Sequence, residues 1–160
     1  MFFYKRKLIK NNIKYMAELL YKDVSSEKWD QENLTKDNLN FSIESVRLID
    51  EYADRLMYTD FGQKILKEHP DNFPVRIGVY LGEVIKNHIN GQYKWFEFKS
   101  IQENTLHLDN YMVSVDDESV LYSKKLDKVI CPIYEAIQYL NGKSKYTTLL
   151  DYVDEVIKNQ

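Results

Sequence analysis

Apolar residues recur at helical spacing along most of the chain, and this pattern predicts amphipathic helices. Stripes of this kind run through residues 8–22, 42–58, 60–69, 74–90, 132–140 and 146–158. Ser42 is a good N-cap for the second stripe, Pro70 stops the third and Gly91 closes the fourth. We therefore expect five or six helices.

After Gly91 the apolar period changes from helical to alternating. Residues 93–98, 105–109 and 111–115 are rich in aromatic and β-branched side chains and predict three short strands. Residues 23–40 are polar and predict a long loop. The chain therefore predicts an α+β fold, with a small antiparallel sheet of about three strands (residues ~93–115) between helical N- and C-terminal parts. No segment reads as a linker, so residues 1–160 are expected to form one globular domain.

Composition narrows the class of protein. The 160 residues are 44% apolar, which argues against disorder. No apolar run reaches the roughly 18 residues that a membrane span needs, and the basic start is not followed by the apolar stretch of an export signal. The single cysteine, Cys131, has no partner for an internal disulfide. We expect a cytoplasmic protein without membrane contact.

Charge is unevenly placed along the sequence. Residues 101–123 contain no Lys or Arg but carry five acids, Glu103, Asp109, Asp116, Asp117 and Glu118. This acidic segment has two interpretations, a solvated loop or a face that binds a basic partner. The first fourteen residues carry five basic side chains and no acid. Because only five charges cluster there and the isoelectric point is about 5.7, nucleic acid is not expected as a partner.

The search for catalytic chemistry finds no signature. The sequence has no Gly-rich phosphate loop, nucleophile elbow or paired-histidine zinc motif. The three histidines are isolated, and Cys131 precedes a proline in an apolar context that favours a buried hydrophobe. Asp50 and Asp54 are expected to form salt links with Arg47 and Arg55. No catalytic residue, metal or cofactor is predicted, and enzymatic activity is left open, with a non-enzymatic role favoured.

Two glycines four residues apart, Gly78 and Gly82, lie inside a predicted helix, where glycine is unfavourable. Their bare backbone would let the helix that starts at Ser42 approach closely. The adjacent Glu83 is then expected to be partly buried and satisfied by a nearby donor, with candidates Arg47, Arg76, Tyr80 and the indole of Trp95. Two interpretations stay open: structural packing, or a ligand pocket lined by Tyr80, Glu83 and Trp95.

Three short motifs carry a resemblance. They are S-x-E-S-V-x-x-I-D, then Y-L-G-E-V-I, then G-x-x-x-W, all within residues 41–95. The segment resembles a family of small, largely uncharacterised bacterial proteins. The matching positions are Ser42, Glu44, Ser45, Asp50, Tyr80, Gly82, Glu83, Gly91 and Trp95. Some proteins of this size and style accompany secreted toxins as immunity proteins, and the resemblance is compatible with that role. It implies no catalytic residue.

Two functional hypotheses follow. The leading one is a non-enzymatic protein-interaction domain, more specifically an antitoxin that blocks a bacterial toxin through the acidic segment. The alternative is a small-molecule-binding or catalytic domain with its pocket at Tyr80, Glu83 and Trp95. The sequence does not indicate an oligomeric state.

Overall fold

The computed structural model describes residues 7–102 and 119–160, and over these ranges the predicted α+β class is confirmed. The helices are α1 Lys14–Lys22, α2 Lys28–Asn33, α3 Val46–Tyr58, α4 Asp60–Glu68, α5 Asn72–His88, α6 Phe98–Ile101, α7 Pro132–Leu140 and α8 Leu149–Lys158. The strands are β1 Lys94–Glu97, β2 Ser119–Ser123 and β3 Lys128–Ile130.

The predicted helix count is wrong, because eight helices are present in the described ranges instead of five or six. The two that the pattern missed are α2 and α6, which have six and four residues. Helices this short complete too few turns to show an apolar period. As a result, part of the segment read as a loop, residues 23–40, is helical.

The three strands form one antiparallel sheet in the order β1-β2-β3. Trp95 pairs with Leu121, and Leu121 pairs with Ile130. The first strand was predicted, but the predicted strands 105–109 and 111–115 fall outside the described residues. Strands β2 and β3 were not predicted, because all five residues of β2 are buried and show no alternation and β3 has only three residues.

The N-terminal segment extends the sheet. Asn11 donates its backbone N–H to the Trp95 carbonyl at 3.1 Å, and Glu97 donates to the Ile9 carbonyl at 2.8 Å. Residues 9–11 therefore lie along the free side of β1. This pairing explains why α1 begins at Lys14 and not at residue 8 as predicted.

Helix α5 is the centre of the molecule, and residues 76–85 are buried without interruption. It packs against α1, α7 and α8. Such a helix is apolar on most of its circumference, as expected when neighbours surround it. No helix in the described ranges is long and apolar enough to cross a membrane.

The sheet separates two apolar clusters, because neighbouring strand residues point to opposite faces. Trp95 and Leu121 join the main core around α5. Phe96 and Val120 join a smaller cluster on the other face, which also contains Phe98, Ile101, Tyr122 and Cys131.

Candidate functional site

The motif residues Ser42, Ser45 and Tyr80 meet in one hydrogen-bonded cluster. The hydroxyls of Ser45 and Tyr80 are 2.6 Å apart, and the Phe41 backbone N–H donates to the Tyr80 oxygen at 3.0 Å. Ser42 accepts the Ser45 backbone N–H at 3.1 Å. Ser42 thus caps the turn that leads into α3, while α3 itself begins later, at Val46. Glu44, in the same turn, is exposed.

Tyr80 is fully buried. Its ring stacks on Phe41 with the centroids 4.7 Å apart, and Phe41 has a backbone φ of 63°. Burial raises the pKa of the Tyr80 hydroxyl, which therefore stays protonated as a hydrogen-bond donor. Tyr80 anchors the turn before α3 to α5.

Asp50 joins two helices. Its carboxylate accepts the backbone N–H groups of Leu149 and Leu150 at 2.6 and 3.1 Å. These donors open α8 and have no partner within that helix. The predicted salt link of Asp50 is therefore wrong, since the carboxylate caps a helix distant in sequence. Arg55 instead lies 3.7 Å from Asp30.

The two glycines of α5 do permit close approach, but not by the predicted neighbour. A methyl group on Gly78 would overlap the backbone of Ile133 at the start of α7, 2.9 Å from its nitrogen. A methyl group on Gly82 would overlap the Trp95 ring. The prediction that they receive the helix beginning near Ser42 is wrong, because α7 and β1 occupy this face.

Glu83 is buried and its carboxylate is satisfied from two sides. The Trp95 indole N–H donates to Glu83 Oε2 at 2.9 Å, and Lys86 Nζ lies 3.1 Å from the same oxygen. The Glu83 side chain is only 6% exposed. Trp95 was among the predicted donors, whereas Lys86 was not, although its i+3 position on the helix signals such a pair.

A groove of about 430 Å³ opens beside this pair. We call it the lysine groove. Its lining consists of Lys10, Asn11, Asn12, Ile13, Lys14, Tyr15, Glu83, Lys86, Lys94 and Trp95. Four of these side chains are lysines, against one carboxylate. The pKa of Lys10 is lowered, mainly by Lys94 beside it, so the two ammonium groups lie close together.

The lysine groove joins only part of the predicted pocket. Glu83 and Trp95 line it, while Tyr80 lies in the buried cluster with Ser45. The lysines come from the N-terminal segment, α1, α5 and β1, and the run of basic residues at the start of the chain pointed only to Lys10 and Lys14. The sequence alone did not place Lys86 and Lys94 beside that run.

The remaining predicted positions lie outside the described residues or away from the groove. The acidic residues Glu103, Asp109, Asp116, Asp117 and Glu118 lie outside the described residues. Gly91 has a φ of +113° and lies in the turn between α5 and β1, past the helix end at His88. In the part of the chain that the structure describes, no three His, Cys, Asp or Glu side chains are grouped to hold a metal ion.

No protein-family model, curated protein or solved structure matches the chain. The resemblance of residues 41–95 therefore stays a prediction.

Proposed function

We propose that the chain is a non-enzymatic protein-interaction domain of the cytosol, and that it acts as an immunity protein that binds and blocks a bacterial toxin. The observation that carries the proposal is the separation of charge along the chain. The acidic segment contributes five negative charges and no positive charge, whereas the whole chain has a formal net charge of only −3. The rest of the chain is therefore net positive.

Such segregation favours a protein partner with a complementary surface. Opposite surface potentials speed up encounter and fix the orientation of two proteins more than they raise affinity. If the toxin is a nuclease with a basic cleft, the acidic segment would take the place of nucleic acid phosphates. Association would then be fast and sensitive to salt.

Co-expression tests the immunity role. The products of the genes adjacent to this one are expressed in a bacterial host, with and without this chain. The proposal expects that one product arrests growth, that this chain restores growth and that the two proteins co-purify. A neighbourhood in which no product is toxic or binds the chain would contradict the role.

Association kinetics test the acidic segment. With that partner, the variant Asp116→Asn, Asp117→Asn, Glu118→Gln should associate several-fold more slowly at low salt and nearly normally at high salt. The matched control is Asp37→Asn, Glu51→Gln, Asp154→Asn, which removes the same charges at exposed positions. An equal slowing of association in both variants would show that net charge alone causes the effect. It would contradict a binding face formed by the acidic segment.

The lysine groove favours a second candidate function, the binding of a small anionic ligand. Four lysines line the groove together with the hydrogen-bonded pair Glu83 and Trp95. Ammonium groups held close together attract phosphate-bearing compounds, and a site of this kind needs only a few convergent polar groups.

Fluorescence of Trp95 tests this second function. The chain has two tryptophans, so Trp29→Phe leaves Trp95 as the reporter. Titration with tripolyphosphate should change its emission, and Lys10→Gln with Lys94→Gln should weaken binding about tenfold or more. The control pair Lys67→Gln and Lys158→Gln removes exposed lysines outside the groove. Equal weakening by the control pair would contradict a site in the groove.

A further inference from the structure

A second cavity, of about 280 Å³, lies between α1, α3, α4 and the start of α5. It shares no residue with the lysine groove. Its apolar wall is formed by Leu20, Val24, Leu34, Ile65 and Phe73. We call this space the Arg76 cavity, and its polar lining consists of Asp23, Ser25, Tyr52, Glu68, His69, Asn72 and Arg76.

Arg76 is 91% buried, since its exposed fraction is 9%. One of its terminal nitrogens donates to Asp23 Oδ2 at 2.8 Å, and the guanidinium carbon lies 5.3 Å from the centre of the Phe73 ring. The Nε–H group is buried and has no hydrogen-bond partner in the described part of the chain. Buried donors are nearly always paired. Arg76 lines the cavity, and its guanidinium is not saturated by hydrogen bonds within the protein.

Two further polar groups in the Arg76 cavity are free to bind. The Tyr52 hydroxyl has no hydrogen-bond partner among residues 7–102 and 119–160, and burial raises its pKa so that it stays a donor. Asp23 Oδ1 likewise has no partner there, while the Asp23 side chain is 64% exposed. The cavity thus offers two kinds of donor and two carboxylates, Asp23 and Glu68, next to an apolar wall.

We propose that the Arg76 cavity binds a free α-amino acid with an apolar side chain. Arg76 and Tyr52 hold the ligand carboxylate, Asp23 holds the ammonium, and Leu20 with Ile65 contacts the side chain. The lining carries both signs of charge, the Arg76 guanidinium and the carboxylates of Asp23 and Glu68, and a zwitterion meets both signs. A simple anion would be repelled by Asp23, and a simple amine by Arg76.

Calorimetry on the full chain tests the proposal. L-leucine, L-isoleucine, L-valine and L-phenylalanine are titrated in turn, beside 4-methylpentanoate, which lacks the ammonium, and 3-methylbutylamine, which lacks the carboxylate. At least one amino acid should bind, and both analogues should bind about tenfold more weakly or not at all. Absence of binding by all four amino acids, or equal binding of either analogue, would overturn the proposal.

Variants locate the binding. Tyr52→Phe and Asp23→Asn each remove one proposed contact and keep the side-chain shape, and each should weaken amino acid binding about tenfold. The control Tyr139→Phe removes a hydroxyl that donates to the Thr147 carbonyl at 3.3 Å, outside the cavity. Unchanged affinity in both cavity variants would overturn the assignment. The result is independent of the proposed function, since it needs neither the acidic segment nor a partner protein.

Discussion

At the scale of single residues, Glu83 shows how a buried charge is accommodated. Its carboxylate oxygen receives both the Trp95 indole N–H and the Lys86 ammonium. Of these contacts, the buried indole bond should matter more for stability, because Lys86 is 29% exposed and water competes for its ion pair.

Glu83 substitutions separate the two contacts. Glu83→Ala leaves the indole donor without an acceptor and should lower the free energy of unfolding by about 1–3 kcal/mol. Glu83→Gln keeps an acceptor oxygen for the indole and loses only the ion pair, so the loss should stay within about 1 kcal/mol. Urea unfolding followed by fluorescence measures both. Equal losses would show that the ion pair, and not the indole hydrogen bond, dominates.

Asp50 predicts a specific pH dependence of stability. Burial raises its pKa above the ordinary value of 3.8, although the Leu149 and Leu150 N–H groups oppose the shift. The folded state therefore binds the Asp50 proton more tightly than the unfolded chain. This contribution to stability is complete below pH 3.8 and is lost as pH rises through the raised folded value.

The Asp50→Asn variant isolates that effect. Relative to this variant, the free energy of unfolding of the wild type should fall as pH rises from 3.8 through the raised folded pKa of Asp50. Urea unfolding at successive pH values measures this difference. The exposed Asp154→Asn variant serves as the matched control for the loss of one carboxylate. A wild-type advantage over Asp50→Asn that does not change with pH would contradict the raised pKa.

At the scale of elements, α5 packs closely against its neighbours because Gly78 and Gly82 have no side chains. Gly78 lies against the backbone of Ile133 and Gly82 against the Trp95 ring, so the start of α7 and strand β1 both pack directly on the helix backbone. Alanine would normally stabilise a helix interior by about 1 kcal/mol relative to glycine. Here the space for a methyl group is already occupied.

Gly78→Ala should therefore destabilise the protein by about 1–3 kcal/mol, the usual cost of overpacking. The control is Gly142→Ala, which has no atom within 4 Å of the added methyl group but a φ of +71°. It should lose about 1–2 kcal/mol through backbone strain alone. Chemical denaturation compares them, and a Gly78→Ala variant as stable as the wild type would contradict the close packing of α7.

Gly82→Ala tests the contact with β1. The overlap involves atoms of the six-membered ring of the Trp95 indole, part of which Trp95→Phe removes. The double variant should therefore be less destabilised than the sum of the two single variants. Strictly additive losses of the free energy of unfolding would contradict a direct contact between Trp95 of β1 and position 82 of α5.

At the scale of the whole molecule, two apolar clusters on opposite faces of the sheet differ in size. Cys131 belongs to the smaller one, and burial raises its pKa to about 12 from the ordinary 9.0. The thiolate is the reactive species, so burial and the raised pKa together should make labelling of the native thiol at neutral pH much slower than that of an unfolded chain.

The same labelling reports how the two clusters open. We expect Cys131 to react through a partial opening with a lower free energy than global unfolding, because the smaller cluster buries less apolar surface. Labelling rates across urea concentrations, compared with tryptophan fluorescence, measure both free energies. Identical values would mean that the clusters unfold as one unit.

The sequence by itself determined the local elements of this protein. Apolar spacing located the six longer helices, and local capping completes them, as where Thr148 caps α8 by accepting the Asp151 N–H at 3.0 Å. These features depend on neighbours a few residues apart. The short helices and the fully buried β2 carry no period, and so they escaped prediction.

Only the tertiary structure decided which residues meet. Asp50 caps a helix that begins 99 residues later, Tyr80 bonds to Ser45 and not to the Glu83 groove, and Lys94 reaches Lys10 because residues 9–11 pair with β1. The Arg76 cavity likewise exists only where α1, α3, α4 and α5 converge. Contacts of this kind depend on the packing of distant segments, which no local pattern of side chains records.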